Sequence, residues 1–416
     1  MPSRNAFRHQ RHCDDPPAAP FRVLTAPRPP AVDSEEFARR LRDVGRVLRR
    51  AGVLSIILMH GTFVGDDYFD LALMVERVSP GFANWLRRIG KRQPDVMLGD
   101  GGNYTAKYAQ RMAEGINEPG ETPIDVRRFL WSGGNSHLPR TMAGIRLIDE
   151  IATLPVPGPC MPLLDRRLDT STSGGGSQGV GQAVPQRVLC FAHSHGANAM
   201  AVATNLLGGS GALRRRLLDI VRDVPGRSRG GAWFEAWRRA CARLDSDAPA
   251  SELLGGRKLD LVTLGIPIRY GWDSDGYDHL LHMVNHRPLP GLPPWRGKLP
   301  QSLNELFDGR YGDWVQQLGI AGTNFPLLAL RWGRWQAERK LGALLQQGET
   351  SWHVRRRICN GQRVSDEGTT LLIDYGSPKR GRRVRHLFGH GMYTQTEWMP
   401  FHLEQAAAEF YQEGAT

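Results

Sequence analysis

Hydrophobic residues along this chain follow two patterns, short continuous apolar runs and longer stretches with helical spacing. The runs predict buried strands, because a strand of a parallel sheet is covered on both faces. The spaced stretches predict amphipathic helices. The apolar runs lie near 53–59, 124–131, 187–193, 259–264, 280–285 and 369–375. Helical patterns separate most of them, and this alternation predicts an α/β protein with a mostly parallel central sheet flanked by helices.

The predicted domain begins and ends with a helix. Ser34 is a suitable helix cap before Glu35, and apolar spacing continues from there to Leu48. A final amphipathic helix is predicted at about 397–411. Residues 1–32 are basic and rich in proline, with few apolar side chains. We therefore expect a disordered N-terminal segment followed by a single domain over residues 33–412.

Two stretches interrupt the alternation of strands and helices. Residues 165–186 are rich in glycine, serine and threonine, which predicts a flexible surface loop. Residues 205–258 are helical and rich in arginine, with Trp233, Phe234 and Trp237 on one side. They predict a helical insertion, which could form a cap over a site or pack flat on the sheet.

Charge and composition narrow the choice of partners. The 416 residues carry a formal net charge of +12, with an isoelectric point near 9.9. The basic residues are scattered and no nucleic-acid-binding module surrounds them, so no nucleic-acid partner is expected. A peripheral contact with an anionic membrane surface stays open.

The same composition gives an expected location. The five cysteines are widely spaced and lack metal-site spacing, which favours reduced thiols. The N-terminal residues lack the apolar segment of a secretory signal, and no run of about 18 apolar residues occurs. We expect a cytoplasmic protein, although export without a cleaved signal stays possible, and the oligomeric state is not indicated.

Candidate chemistry lies at the end of the third predicted strand. That strand ends in Ala192-His193-Ser194-His195-Gly196, and a helical pattern begins at Ala197. Small residues let a strand and a helix approach closely, so this turn can raise Ser194 clear of the sheet. The segment resembles the nucleophile elbow of the α/β-hydrolase family, whose pattern is Gly-x-Ser-x-Gly. Ala192 stands where that pattern has its first glycine.

The resemblance to lipase and esterase members implies an enzyme that cleaves carboxylic esters of small molecules or lipids. It implies a Ser-His-Asp triad and an acyl-enzyme intermediate, with no cofactor and no metal. Ser194 would be the nucleophile. The family order places the base after the last strand, where His386 and His390 stand. We prefer His390, because glycines on both sides permit an exposed turn.

The acid and the oxyanion hole are also assigned by resemblance. Asp313 follows the strand at 280–285 and is the predicted acid. Asp374 is the alternative, and Asp273, Asp275 and Asp278 are third choices. The oxyanion would be held by the backbone N–H groups of Thr62, after the His60-Gly61 strand end, and of His195.

Other interpretations remain open. The same triad could serve an acyltransferase or a thioesterase. A hydrolase-like protein could bind a ligand or a membrane without turnover. A zinc site could use the histidines at 193, 195, 279, 282 and 286, although no familiar metallohydrolase spacing occurs.

Aromatic residues near the predicted site favour a substrate with an acyl or aromatic group. They are Phe63, Trp131, Trp272 and Trp314.

Overall fold

The computed structural model describes residues 5–9, 16–61, 103–155, 184–222, 224, 232–298, 301–302, 304–305, 308–319, 332–346, 352, 356, 358–359, 361–376 and 389–412. Among the residues named above, Thr62, Phe63 and His386 lie outside these ranges, as does most of the predicted loop at 165–186.

Seven parallel strands form one sheet in the described part of the chain. They are β1 Phe21–Thr25, β2 Val53–Met59, β3 Asp125–Phe129, β4 Arg187–His193, β5 Lys258–Leu264, β6 His279–Asn285 and β7 Thr369–Asp374. Their order across the sheet is β1-β7-β6-β5-β4-β2-β3, and every neighbouring pair is parallel. The predicted α/β fold with a parallel sheet flanked by helices is confirmed.

The helices of the described residues lie in the connections between strands, except α10, which follows the last strand. They are α1 Glu35–Arg50, α2 Ala106–Ile116, α3 His137–Ala152, α4 His195–Gly208, α5 Gly211–Val221, α6 Ala232–Leu244, α7 Ala250–Leu253, α8 Trp314–Gly319, α9 Trp332–Leu345 and α10 Met399–Tyr411. Ser34 caps α1 as predicted, because its hydroxyl accepts the N–H of Phe37 at 3.2 Å.

Helices cover both faces of the sheet. Alternate side chains of one strand point to opposite faces, so Ile57 and Ile56 of β2 belong to two separate apolar cores. The core around Ile57 includes α3 to α7 and α9, and the core around Ile56 includes α1, α2 and α10. The strands are therefore buried on both sides, which explains their continuous apolar runs.

The N-terminal segment differs from the expectation. Residues 21–25, predicted to be disordered, form the edge strand β1, which pairs with β7 from Phe21–Thr370 to Thr25–Asp374. The composition of this segment did not predict the strand, because an edge strand is held by backbone pairing and needs few buried side chains. Val23, for example, is 41% exposed. Phe7 is also buried in the core, so this segment packs on the domain at more than one point.

The predicted insertion at 205–258 contains α5, α6 and α7. Helix α6 packs against α3, and Trp237 of α6 is buried in the core on that face of the sheet. Trp233 and Phe234 pack against the same core. A cap function for this segment stays a prediction.

The connections define a topological switch point between β2 and β4. Helix α2 leads from β2 outward to β3 on one face of the sheet. Helix α4 leads from β4 in the opposite direction to β5 on the other face. Ligands of open α/β sheets bind beyond the carboxyl ends of the strands at such a point. Those ends here are His60-Gly61 and His193-Ser194.

None of the described helices combines the length and the apolar character needed to cross a membrane. Three cysteines of the described part, Cys190, Cys241 and Cys359, are free thiols.

Candidate active site

Ser194 lies between the end of β4 and the first residue of α4. Its backbone angles are φ 53° and ψ −132°, and it is the one non-glycine residue with positive φ in the described part of the chain. Such a conformation costs about 1–3 kcal/mol and persists only where the surrounding structure enforces it. The Ser194 N–H continues the pairing of β4 with β5 by bonding the Leu264 carbonyl at 2.9 Å. The chain therefore makes a sharp, strained turn at the serine.

The end of β2 touches this turn. A Cβ atom added to Gly61 would lie 2.9 Å from Ser194 Cβ, so only glycine fits there. The preceding residue, His60, is fixed by Trp131, whose indole N–H donates to the His60 carbonyl at 2.8 Å. The His60-Gly61 segment therefore lies against the serine, as the predicted site requires.

Asn285, the last residue of β6, holds three parts of the site together. Its carbonyl accepts the Asp313 N–H at 2.8 Å, and its own N–H donates to the Tyr393 hydroxyl at 2.7 Å. Its side-chain amide donates to the Gly389 carbonyl at 2.8 Å. The loop with Asp313 and the loop with His390 are therefore anchored to one residue at the carboxyl edge of the sheet.

Asp313 and His390 form a hydrogen-bonded pair. His390 Nδ1 lies 2.7 Å from Asp313 Oδ2, and Asp313 is fully buried. Burial alone would raise the pKa of Asp313, but the contact with His390, the Gln316 N–H and the charge of Arg363 together lower it. The carboxylate is therefore ionised and can only accept, so His390 Nδ1 carries the proton. His390 Nε2 is left as the basic nitrogen.

Other groups fix the carboxylate of Asp313. The Tyr393 hydroxyl donates to Oδ2 at 2.9 Å, and the Gln316 N–H donates to Oδ1 at 2.8 Å. Burial first, and then the charge of Asp313, hold the pKa of Tyr393 well above its ordinary value, so its hydroxyl stays protonated. Arg363, which is buried, donates to the Asp313 backbone carbonyl and to the Gln316 side chain. The acid is thus held at both oxygens and at its backbone.

His193 connects the serine turn with the predicted base. Its Nε2 lies 3.1 Å from the His390 carbonyl, and the two imidazole centroids are 4.5 Å apart. Because a carbonyl only accepts, His193 Nε2 is the donor. No hydrogen bond joins Ser194 to His390 within the described residues. In free enzymes such contacts are often long and shorten when substrate binds.

One of the two predicted oxyanion donors can be placed. His195 is the first residue of α4, and the N–H groups of a first helical turn have no acceptor within the helix. The Asn198 amide donates to His195 Nδ1 at 3.0 Å, which leaves the proton of the neutral ring on Nε2. The predicted second donor, Thr62, lies outside the described residues.

The alternative acids have other partners. Asp374 accepts Arg287 Nε at 3.2 Å and the Gly376 N–H at 2.8 Å, which fits a structural role at the end of β7. Asp273 accepts the Asp275 N–H at 3.2 Å and lies 3.4 Å from Arg8 Nε. Asp278 pairs with Arg187 at 2.6 Å. The structure brings Asp313, and none of these, to His390.

The five histidines of the zinc alternative do not come together as a ligand set in the described part of the chain. His282, for example, bonds Thr263 at 2.7 Å and the Glu367 carbonyl at 3.0 Å. The one group there with metal-ligand spacing is Asp260, Asp278 and His279. Arg187 and Lys258 already bind these carboxylates, so a metal ion would have to displace both cations.

The predicted aromatic residues lie in different places. Trp131 is buried beside His60, with the two rings stacked at 5.8 Å, and therefore lies next to the serine turn. Trp272 is buried against Tyr277 and against His282 of β6. Trp314, next to Asp313, is half-buried.

Sequence reasoning missed several residues of this site, namely His193 as a partner of His390, Asn285, Gln316, Arg363 and Tyr393. The sequence shows that Tyr393 follows His390 by three residues, but this spacing does not identify Asp313 as the partner of the Tyr393 hydroxyl group. The other contacts join residues far apart in the chain, which no local pattern reports.

Fold and site together define an α/β protein with a strained serine turn and a buried Asp-His pair at one sheet edge. A scan against protein-family models and searches of curated proteins and of solved structures found no match to this chain.

Proposed function

We propose that this protein is a serine hydrolase of the α/β-hydrolase type that cleaves carboxylic esters. Ser194 is the nucleophile, His390 the base and Asp313 the acid that orients it. The observation that carries the proposal is the 2.7 Å contact of His390 Nδ1 with the buried, ionised Asp313. This pair lies at the same sheet edge as the strained Ser194.

Three features support this assignment. The serine follows β4, the acid follows β6 and the histidine follows β7, which is the chain order of α/β-hydrolases. The site lies at the switch point of the sheet, where α/β proteins bind ligands. Ser194 has a costly backbone conformation, and such strained residues cluster at active sites.

The first half of the reaction forms the acyl-enzyme. Ser194 Oγ attacks the ester carbonyl while His390 Nε2 takes the hydroxyl proton. Asp313 stabilises the imidazolium that results, and the His195 N–H donates to the new oxyanion. The intermediate then collapses, the bond to the alcohol oxygen breaks, and His390 gives the proton to the leaving alcohol.

The second half releases the acid. His390 takes a proton from water as the water oxygen attacks the acyl carbon. Collapse of this intermediate breaks the bond to Ser194 Oγ, which recovers its proton from His390. No cofactor takes part in these steps. An alcohol or thiol acceptor in place of water would make the same site an acyltransferase.

A non-catalytic ligand-binding protein is the second candidate. The observation in its favour is that no hydrogen bond joins Ser194 to His390 in the described part of the chain. The ring centroids of His193 and His390 are nevertheless 4.5 Å apart, so His390 lies beside the serine turn. A test of serine reactivity distinguishes the two candidates.

The experiment is labelling of the folded protein with a fluorophosphonate, with the modified peptide identified by mass spectrometry. We expect labelling at Ser194 that disappears in Ser194→Ala, together with a fall of about 10⁶-fold in kcat on 4-nitrophenyl esters. Ser55→Ala, a buried serine of the neighbouring strand β2, is the matched control and should keep labelling. Folded wild-type protein without labelling would exclude the hydrolase and leave the binding protein.

A further inference from the structure

Two buried arginines lie in a polar cluster beside the serine turn. This cluster, called the arginine cluster below, consists of His137 and Arg140 in the first turn of α3 and Arg269 and Tyr270 after β5. All four residues are less than 9% exposed. Arg140 donates to the Tyr270 hydroxyl at 3.3 Å and also to Asn135, and His137 Nδ1 bonds the same hydroxyl at 2.7 Å.

Close helix packing brings this cluster to the serine. A Cβ added to Gly144 of α3 would lie 2.8 Å from the Ala199 carbonyl of α4, so the two backbones nearly touch. Both helices begin at the carboxyl edge of the sheet, since each follows a strand. The first turn of α3, with Arg140, therefore lies beside the first turn of α4, with His195.

Asn198 attaches the other arginine to the same turn. Its Nδ2 donates to His195 Nδ1 at 3.0 Å and to the Pro267 carbonyl at 2.8 Å. Its Oδ1 accepts the backbone N–H of Arg269 at 3.2 Å. One side chain therefore links the backbone at Arg269 to His195, the residue that follows Ser194.

Two arginine charges act on the histidines at the start of α3 and of α4. A guanidinium group stays protonated in proteins, so both arginines are permanent cations. Burial first, and then the charges of Arg140 and Arg269, lower the pKa values of His137 and His195 well below their ordinary range. Both imidazoles are therefore neutral, and the two guanidinium charges act at the serine turn.

A carboxylate of the protein already binds the N-terminus of α3, next to the arginine cluster. Glu338 of α9 accepts the His137 N–H at 2.7 Å and the Leu138 N–H at 2.9 Å. It satisfies donors at the start of α3, as an anion does at a helix N-terminus. An acidic side chain therefore lies against the first turn of α3, the turn that carries Arg140.

We propose that the ester substrate carries an anionic group, a carboxylate or a phosphate, and that Arg140 and Arg269 recognise it beside Ser194. The planar guanidinium matches such groups in geometry, and it acts most strongly where water is excluded. The net charge of +12 would also draw an anionic substrate to the protein. This inference rests on the proposed hydrolase function.

The test uses two esters of equal chain length, mono-4-nitrophenyl glutarate and 4-nitrophenyl valerate. Wild-type protein should favour the glutarate by about tenfold or more in kcat/KM, the effect of a charge-assisted contact. In Arg269→Gln the ratio of the two kcat/KM values should fall toward one. Arg215→Gln, an exposed arginine of α5, is the control and should keep the wild-type ratio. An unchanged ratio in Arg269→Gln, or a wild-type ratio at or below one both for this pair of esters and for the lipid pair described below, would overturn the inference.

A binding measurement separates this inference from the proposed function. Titration of glutarate and of inorganic phosphate into Ser194→Ala, followed by calorimetry, needs no turnover. We expect binding that weakens about tenfold when Arg269→Gln is added. Labelling at Ser194 without anion binding would reject the inference and leave the hydrolase. Anion binding without labelling would reject the hydrolase and keep the arginine cluster as an anion site.

A small acidic ester and an anionic phospholipid share the required chemistry. Hydrolysis of dioctanoyl phosphatidylglycerol compared with the uncharged dioctanoyl glycerol tests the lipid source, and the glutarate ester tests the small-molecule source. Preference for the anionic member of either pair supports the inference. Preference for the neutral member of both pairs contradicts it.

Discussion

Two buried aspartates of this protein hold a histidine, at opposite edges of the same sheet. At the carboxyl edge, Asp313 Oδ2 lies 2.7 Å from His390 Nδ1 and 2.9 Å from the Tyr393 hydroxyl. At the amino edge, Asp260 Oδ1 lies 2.7 Å from His279 Nδ1, and Oδ2 lies 2.7 Å from the Tyr411 hydroxyl. The two clusters have the same three side-chain types at nearly the same distances.

The position of the nearby cations distinguishes the two clusters. Arg187 binds both oxygens of Asp260, at 3.1 and 3.2 Å, so that carboxylate shares its charge between an arginine and a histidine. At the other edge, Arg363 binds the backbone carbonyl of Asp313, and the carboxylate itself is bound by His390, Tyr393 and the Gln316 N–H. The charge of Asp313 is therefore directed at its histidine.

The residues next to each histidine differ as well. His390 is buried and lies against His193, the neighbour of the strained Ser194. The His279 side chain is 33% exposed and stacks on Phe410 at the end of α10. An Asp-His hydrogen bond by itself therefore does not identify a catalytic site. In the proposed function it gains that meaning from its neighbour Ser194 at the carboxyl edge of the sheet.

The largest expected effect comes from neutralising each aspartate in turn. Asp313→Asn should lower kcat on 4-nitrophenyl esters by about 10⁴-fold, because the amide favours the wrong tautomer of His390. Asp260→Asn should leave kcat unchanged and lower the free energy of unfolding by about 1–3 kcal/mol, through the loss of a buried charged partner. Ester kinetics and urea unfolding of both variants provide the measurement.

Each of these two variants is the control for the other. A loss of activity in Asp260→Asn comparable to that in Asp313→Asn would mean that both clusters act through stability alone. The contrast between the two edges would then carry no functional meaning.

Local patterns predicted the strands of this sheet well. The runs at 53–59 and 280–285 lie within one residue of β2 and β6 at each end, because strands buried on both faces show a continuous apolar signal. The serine turn was also visible locally, since Ala192, Gly196 and Ala197 are close in sequence. The pair of Asp313 and His390 was chosen from family order, and the structure brings these two residues together.

The supporting residues could not be predicted in the same way. Asn285 meets Gly389 across 104 positions, and His193 meets His390 across 197 positions. Such contacts depend on which strands become neighbours, which single-sequence periodicity does not report. The second Asp-His pair was missed for the same reason. In the sequence, Asp260 is only a single polar residue within an apolar strand, and nothing local indicates His279 as its partner.

Removal of the tyrosine hydroxyl from each of the two clusters should have a smaller effect than neutralising the aspartate. Tyr393→Phe should lower kcat about tenfold with KM nearly unchanged, because Asp313 loses a hydrogen bond that positions it in the transition state. Tyr411→Phe removes the equivalent bond to Asp260 and should lower only the free energy of unfolding, by about 1 kcal/mol. Steady-state kinetics on one 4-nitrophenyl ester measures the first effect. Equal changes of kcat in the two variants would contradict a positioning role for Tyr393.

The smallest expected effect is the contribution of Asp313 to stability as the pH falls. The contacts with His390, Gln316 and Arg363 outweigh burial and lower the pKa of this carboxyl in the folded protein. A group of this kind stabilises the fold above its unfolded pKa, about 4, and loses that contribution as the pH falls through the lower folded pKa. The difference in unfolding free energy between wild type and Asp313→Asn should therefore be constant from pH 7 to about pH 5 and shrink below about pH 4.

Urea unfolding at each pH measures this difference in unfolding free energy, with the exposed Asp247→Asn as the control. A difference that grows as the pH falls would mean that burial dominates, that Asp313 is protonated near neutral pH, and that it cannot orient His390 as a carboxylate.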